Sequence, residues 1–300
     1  MAGCAAPRKF IYEKMNRVEM AGVKENKKIL RQKVNKKRDL AVITGASSGI
    51  GEAFAKKLGS LGNDLLLISN DAKGLQRVAK EIKEKSKAAG SEVNVEVLYA
   101  DLASEKDIGC VVKRLEKLDV FYLVNNAGFG IGKKFADASE KAISAMISVH
   151  VTAMTRFARA VINGMMKRNR GRIINISSVA AFSRNRANCV MYNSTKTFVV
   201  VFSETLQYEM EGRCKDIRVQ ALCPGFTITN FHKNPNQKSE DRDMSRVPEW
   251  MWMKPEEVVE ASLKTLDTKS VMCVPGNINK LTVFMLKNKM LSRIPNKLME

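Results

Sequence analysis

The chain has 300 residues, 45% of them hydrophobic, which suits one large α/β core with attached arms better than two equal domains. Its formal charge of +20 invites a nucleic-acid or anionic-surface reading, yet residues 1 to 39 alone hold twelve Lys or Arg against four Asp or Glu, a net +8. The other bases interleave with acids along predicted helices, so no specific nucleic acid is expected; the lack of any eighteen-residue apolar run argues against a conventional spanning helix.

Six scattered cysteines without a Cys-x-x-Cys pair argue against structural zinc or a dense disulfide framework, so no metal is expected. They fit a reducing compartment, cytoplasmic or organellar. Residues 1–38 read as a basic N-terminal extension, in which Glu13, Glu19 and Glu25 count against an acid-poor transit peptide. The apolar run Leu40 to Ile43 then enters Thr44-Gly45-Ala46-Ser47-Ser48-Gly49-Ile50-Gly51, followed by a helical pattern from Glu52 to Leu58. Glycines thus stand where a buried strand turns into a helix. Gly45 can make the tight turn, Gly49 lets a phosphate approach, and Gly51 permits close packing. The unpaired N–H groups of the helix start would bind a pyrophosphate. A Walker-type loop is excluded, because no Gly-Lys-Ser or Gly-Lys-Thr follows.

Short aliphatic runs and longer helical patterns alternate from there. Strands are predicted at 64–69, 93–100, 121–124, 172–177, 217–223 and 271–275, and helices at 72–89, 104–116, 139–167 and 191–211, with a short one starting at Pro255. The first of these helices carries Leu75, Val78, Ala79 and Ile82 on one face, and the 139–167 helix a stripe of Ile143, Met146, Ile147, His150, Met154 and Val161. Such alternation predicts a doubly wound, Rossmann-like parallel sheet in three layers, α/β/α, spanning residues 39–275. Ligands would bind at the carboxyl ends of its strands. Residues 226–254 leave that edge and are too long for an ordinary connection, so they read as a substrate loop.

Tyr192 and Lys196 lie four apart on one predicted helix and share a face. A neighbouring ammonium favours the phenolate, and the pair suits proton transfer to a carbonyl oxygen or from an alcohol. Ser177 and Ser178 end the preceding strand at the same sheet edge.

The motifs Thr44 to Gly51, Asn125-Asn126-Ala127-Gly128, Arg172 to Ser178, Tyr192-Asn193-Ser194-Thr195-Lys196 and Pro224-Gly225 together resemble the short-chain dehydrogenase/reductase family, in that order along the chain. The resemblance implies an NAD(P)-dependent oxidoreductase, with Tyr192 as acid/base, Lys196 holding the nicotinamide ribose and Ser178 orienting the substrate oxygen. It implies cofactor contacts from Gly45, Ser47, Ser48, Gly49, Ile50 and Gly51 and from Ser69 and Asn70. Asp101 and Leu102 would meet adenine, and Asn125, Ala127 and Gly128 border the ribose. Pro224, Gly225, Thr227 and Thr229 complete the nicotinamide side.

Two departures stand out. Ser178 to Tyr192 is fourteen residues, one more than usual, and the inserted loop carries Arg184 and Arg186. His150 occupies the place of an asparagine that usually helps position the lysine; it could relay a proton, or be a buried, satisfied histidine. A branch with this histidine and with a Cys-Pro-Gly-Phe-Thr run like Cys223 to Thr227 is similar, so the substitution does not mark a dead enzyme. At Ser69-Asn70-Asp71 neither the acid that selects NAD nor the arginine that selects NADP stands in its usual place, which leaves NADPH slightly favoured over NADH. Phe129, Phe182, Phe226, Phe231, Trp250 and Trp252 are expected around a lipophilic carbonyl or alcohol substrate. Residues 276–300 form an amphipathic helix or tail, expected in a homo-oligomer contact in preference to peripheral membrane contact. A non-catalytic nucleotide-sensing or membrane-docking protein is the alternative.

Overall fold

The computed structural model describes residues 38–183, 190–233, 247–268 and 270–287, without the side chains of residues 232 and 233. The 184–189 loop with its two arginines, nearly all of the N-terminal extension and the end of the C-terminal tail lie outside the described residues. Seven strands form one parallel sheet in the order β3-β2-β1-β4-β5-β6-β7. They are β1 Leu40–Thr44, β2 Asp64–Ser69, β3 Val95–Tyr99, β4 Val120–Asn125, β5 Gly171–Ile176, β6 Ile217–Leu222 and β7 Met272–Cys273. The direction of winding reverses between β1 and β4, and a crevice opens there at the carboxyl edge, as doubly wound sheets require.

Because side chains alternate across a strand, each central strand feeds two cores. Ala41, Ile43, Leu65 and Leu67 face one layer, where α1 (Gly49–Ser60), α2 (Ala72–Ala88) and α7 (Pro255–Leu266) bury Phe54, Leu58, Leu75, Val78, Ile82 and Val258. Val42, Leu66 and Ile68 face the other, where α3 (Glu105–Leu115), α5 (Met154–Arg168) and α6 (Val190–Glu211) contribute Ile108, Leu115, Phe157, Val161 and Met210. The three-layer α/β/α architecture expected from the sequence is the one found. β3 and β7 are shorter than predicted; both are edge strands, paired on one side only.

The predicted 139–167 helix is not one regular α-helix. It consists of α4 (Glu140–Ile147), a π-helical turn over Ser148–Ala153 and α5. A π turn holds an extra residue and rotates the halves of a helix relative to each other. Met146, His150, Met154 and Val161 of the predicted stripe are buried on both sides of this turn, whereas Ile143 is half-buried and Ile147, which precedes the turn, is 39% exposed. A last helix, α8, spans Asn277–Lys287 in the described part of the C-terminal segment. Among the described residues, no helix is long and apolar enough to cross a membrane.

Candidate active site

The turn after β1 has the geometry its glycines suggested. Gly45 and Gly49 have φ of +63° and +57°, the left-handed region that favours glycine. Gly51 has an ordinary backbone but no room: a Cβ there would stand 2.2 Å from the Gly45 carbonyl oxygen. A Cβ on Gly49 would meet Thr229 at 2.9 Å, so the segment after β6 closes over this turn. Ser48, the N-cap of α1, makes no side-chain capping bond, whereas Asp71, Ser104 and Ser139 cap α2, α3 and α4. The start of α1 is thus left for an anion.

Thr44 ties this turn to the end of β4. Its Oγ1 accepts from the N–H groups of Asn126 at 2.9 Å and Ala127 at 3.0 Å, while Asn126 Nδ2 donates to the carbonyls of Thr44 and Gly45. At the end of β2, Ser69 and Ser47 pair through their hydroxyls at 3.0 Å, and Ser69 Oγ accepts from the Asp71 N–H. Asn70 is exposed beside them. A cleft of about 730 Å³ runs over this region, lined in part by Ser47, Ser48, Gly49, Asp71, Arg77 and Thr229. Arg77 donates to the Ser47 carbonyl at 3.0 Å and pairs with Glu52 and Glu81. Farther along the edge, Asp101 Oδ1 accepts from the Ala103 N–H, and Leu102 is buried.

Toward the other half of the sheet, Asn125 Nδ2 donates to Asn175 Oδ1, Asn175 Nδ2 to Ser203 Oγ, and Ser203 to the Val199 carbonyl. This buried chain fastens β4 and β5 to α6. Asn125 Oδ1 is buried without a partner, and the residue lines a small cavity of about 10 Å³ shared with Thr44, Ala127, His150 and Lys196. An orphaned buried acceptor, an uncapped helix start and a glycine cradle fit a dinucleotide laid across this edge.

Lys196 is 5% exposed, and its Nζ donates to the Ile176 carbonyl at the end of β5 at 2.8 Å. Burial pulls its pKa down to about 8. The ammonium lies 5.7 Å from the centroid of the half-buried Tyr192 ring. The two adjacent serines divide their work: Ser177 Oγ donates to the Lys196 carbonyl at 2.7 Å, whereas Ser178 caps a short 3₁₀ turn, Val179–Phe182, by accepting from the Ala180 N–H. Val179 N–H in turn donates to the Pro224 carbonyl, joining the serine turn to the segment after β6.

His150 lies in the π turn, 2% exposed. Its Nδ1 is 2.9 Å from Thr195 Oγ1, and its Nε2 accepts from the Phe129 N–H at 3.0 Å. Burial first, and then the Lys196 charge, hold its pKa well below the ordinary imidazole range. A Cβ on Gly128 would meet Nε2 at 2.9 Å and Lys196 Nζ at 3.4 Å, so this glycine gives both groups their place.

The six aromatic residues expected around one pocket are divided. Phe129 and Tyr192 flank His150, with ring centroids 5.8 and 5.9 Å away, and Phe231 meets Tyr192 at 5.9 Å. Phe226 instead pairs with Trp252, Phe182 packs beneath Lys287, and Trp250 is 65% exposed. The two ends of the 226–254 loop are zipped by hydrogen bonds between Phe226, Ile228 and Met253 and a bridge between Thr227 and Met253, which turns Trp250 outward. Thr227 is 4% exposed and donates to the Gly225 carbonyl, while Thr229 faces the glycine turn. Thr44, Asn126, Arg77 and Thr195 were not picked out from the sequence as site residues. Thr44, at the head of the glycine run, and Asn126, inside the Asn-Asn-Ala-Gly run, stand at defined motif positions; Arg77 and Thr195 carried no signal of their own.

A family model described as short chain dehydrogenase matches residues 39–240. The chain is 35% identical over 198 residues to the very-long-chain 3-oxoacyl-CoA reductase of Anas platyrhynchos, covering 64% of this chain and 61% of that protein. It is 33% identical over 194 residues to the inactive hydroxysteroid dehydrogenase-like protein 1 of Homo sapiens, covering 64% of this chain and 56% of that protein. The matches thus span less than two thirds of either relative. Among solved structures, a short-chain dehydrogenase from Sphingobium yanoikuyae in complex with NADPH is similar, with a TM-score of 0.70 and 31% identity over 79% of this chain and 87% of that one.

Proposed function

This chain belongs to the short-chain dehydrogenases, and from that premise we propose that it is an NAD(P)-dependent oxidoreductase interconverting a carbonyl and a secondary alcohol on a lipophilic small molecule. The observation that carries the reading is the buried Lys196 ammonium beside the Tyr192 phenol, on a helix that meets the sheet edge bearing the glycine turn. When bound, a nicotinamide dinucleotide supplies or accepts the hydride. The turn from Gly45 to Gly51, Ser69, Asp101, Leu102, Asn125 to Gly128 and the Pro224 to Thr229 segment hold it, with Thr227 contributing through its backbone. Tyr192 gives a proton to the carbonyl oxygen in reduction and takes it back in oxidation. Lys196 favours the phenolate and reaches the ribose. Ser178 spends one lone pair on the Ala180 N–H and keeps its own hydrogen for the substrate oxygen.

NADPH is favoured over NADH. No carboxylate stands at Ser69 or Asn70 to repel a 2′-phosphate, and Arg77, though paired with Glu52 and Glu81, lines the same cleft as Ser47, Ser48 and the next acid along, Asp71. Arg77→Met is expected to weaken NADPH about tenfold, the loss of about 1.4 kcal/mol, with NADH changed far less. Fluorescence titration with both cofactors decides this; an equal loss for the two would remove Arg77 from the phosphate site.

The aromatic set Phe129, Tyr192 and Phe231 supports a lipophilic substrate, and the duck relative's name adds 3-oxoacyl thioesters to the panel of bulky ketones and aldehydes. Exposed Phe198, Val201 and Tyr208 on α6, with Leu281 and Phe284 on α8, support assembly with a second copy of the chain. The free thiols Cys110, Cys214, Cys223 and Cys273 support a reducing compartment. The test is NADPH absorbance followed over the carbonyl panel. Tight binding with no turnover on any carbonyl would favour the nucleotide-sensing alternative, which the inactive human relative keeps in view. No binding would overturn both.

A further inference from the structure

We propose that His150 is a positioning residue, a neutral Nδ1–H imidazole that clamps the loop after β4 to the turn bearing Tyr192 and Lys196. The proposal rests on the oxidoreductase reading above for its kinetic consequence, but its geometry stands apart from it. Two bonds assign the tautomer. A backbone amide can only donate, so Nε2, which receives the Phe129 N–H at 3.0 Å, carries no hydrogen. Thr195 Oγ1 donates its single hydrogen to the Tyr192 carbonyl at 3.0 Å, so toward His150 it can only accept. The hydrogen between Thr195 and His150 therefore sits on Nδ1, 2.9 Å from that oxygen.

One line of hydrogen bonds then runs from the Phe129 N–H through the imidazole and the Thr195 hydroxyl to the backbone of Tyr192. Both ring nitrogens are occupied in it. An incoming proton would have to break the Phe129 bond, and an outgoing one the Thr195 bond. A ring held in this way does not pass protons to Lys196 or Tyr192; it sets where they stand. The π turn is the backbone feature that carries this ring, since the extra residue at 148–153 departs from a regular helix where His150 projects into the site. The groups facing the ring are the Lys196 ammonium and the Tyr192 ring from α6 and Phe129 from the loop, with Gly128 leaving the space they need. With a cation and two aromatic rings around it and no carboxylate among these neighbours, the site disfavours an imidazolium.

The test uses the full chain, in which histidine occurs only twice, at 150 and 232. Long-range proton–nitrogen spectra of the labelled protein should show one imidazole fixed as the neutral Nδ1–H tautomer between about pH 5 and 8, where an ordinary histidine titrates. His150→Ala should remove that signal, leave the NADPH dissociation constant within about threefold, and lower kcat about 100-fold through misplacement of the reacting groups, without adding or removing a limb of the pH profile. Thr195→Val, which removes only one end of the clamp, should lower kcat about tenfold and speed exchange of the Nδ1 hydrogen. Two imidazoles that both titrate, or an Nε2–H tautomer for His150, would overturn the proposal, as would a His150→Ala kcat within twofold of the parent. Should the protein turn over no carbonyl at all, the oxidoreductase reading fails on that result, while the tautomer in the spectra still decides the clamp.

Discussion

Tyr192→Phe is expected to bind NADPH as tightly as the parent and to lose about 10²- to 10⁴-fold in kcat, the usual contribution of a positioned proton donor. The change removes one oxygen and leaves the ring, so its edge contact with His150 and its packing on Phe231 persist. The Lys196 bond to the Ile176 carbonyl is untouched as well. A parent-like kcat would take Tyr192 out of the chemistry; a collapse of NADPH affinity would mean the hydroxyl serves binding instead. The parent should show a related pH dependence. Lys196 sheds its proton near pH 8, well below an ordinary lysine, because burial disfavours its charge. Reduction should therefore slow as pH rises through that value, since the cation that assists the phenol is lost. Stopped-flow rates across that range measure it, and a flat profile would separate the lysine charge from turnover.

Gly51→Ala is expected to abolish NADPH binding and to destabilise the fold by on the order of 3 kcal/mol, since overpacking here is against backbone. The new methyl would stand 2.2 Å from the Gly45 carbonyl oxygen and 2.5 Å from Asn126 Nδ2. Relief requires the turn to move away from α1, and the bonds joining Asn126 to Thr44 and Gly45 go with it. Gly109→Ala is the control. That glycine lies in α3 with nothing within 4 Å of an added Cβ, so the substitution should be neutral or stabilising by about 0.5–1 kcal/mol. Thermal unfolding with and without NADPH reads both. Equal melting temperatures and equal ligand-induced shifts for Gly51→Ala and the parent would dismiss the close-packed turn as a cofactor cradle.

The alternation of strands and helices was legible because it rests on local periodicity. Leu75, Val78, Ala79 and Ile82 are all buried where the pattern put them. Strand lengths at the edges were less legible: β7 pairs with only the last two residues of β6, Ala221 and Leu222. The break at Ser148–Ala153 was invisible because nothing in Ser148-Val149-His150-Val151-Thr152-Ala153 is a helix breaker. The aromatic residues read as one pocket, yet pairing of Met253 with Phe226 and Ile228 sends Trp250 to the surface.

By itself, the sequence determined the fold class, the glycine turn and the Tyr192–Lys196 pair, because each depends on residues a few positions apart in one strand, turn or helix. The tertiary structure alone decided what those groups touch. Thr44 meets Asn126 across 82 positions of chain, and His150 meets Thr195 across 45. Hydrogen bonds are short and directional, so neither the His150 tautomer nor the partners of the paired serines exist until the sheet brings those segments within about 3 Å.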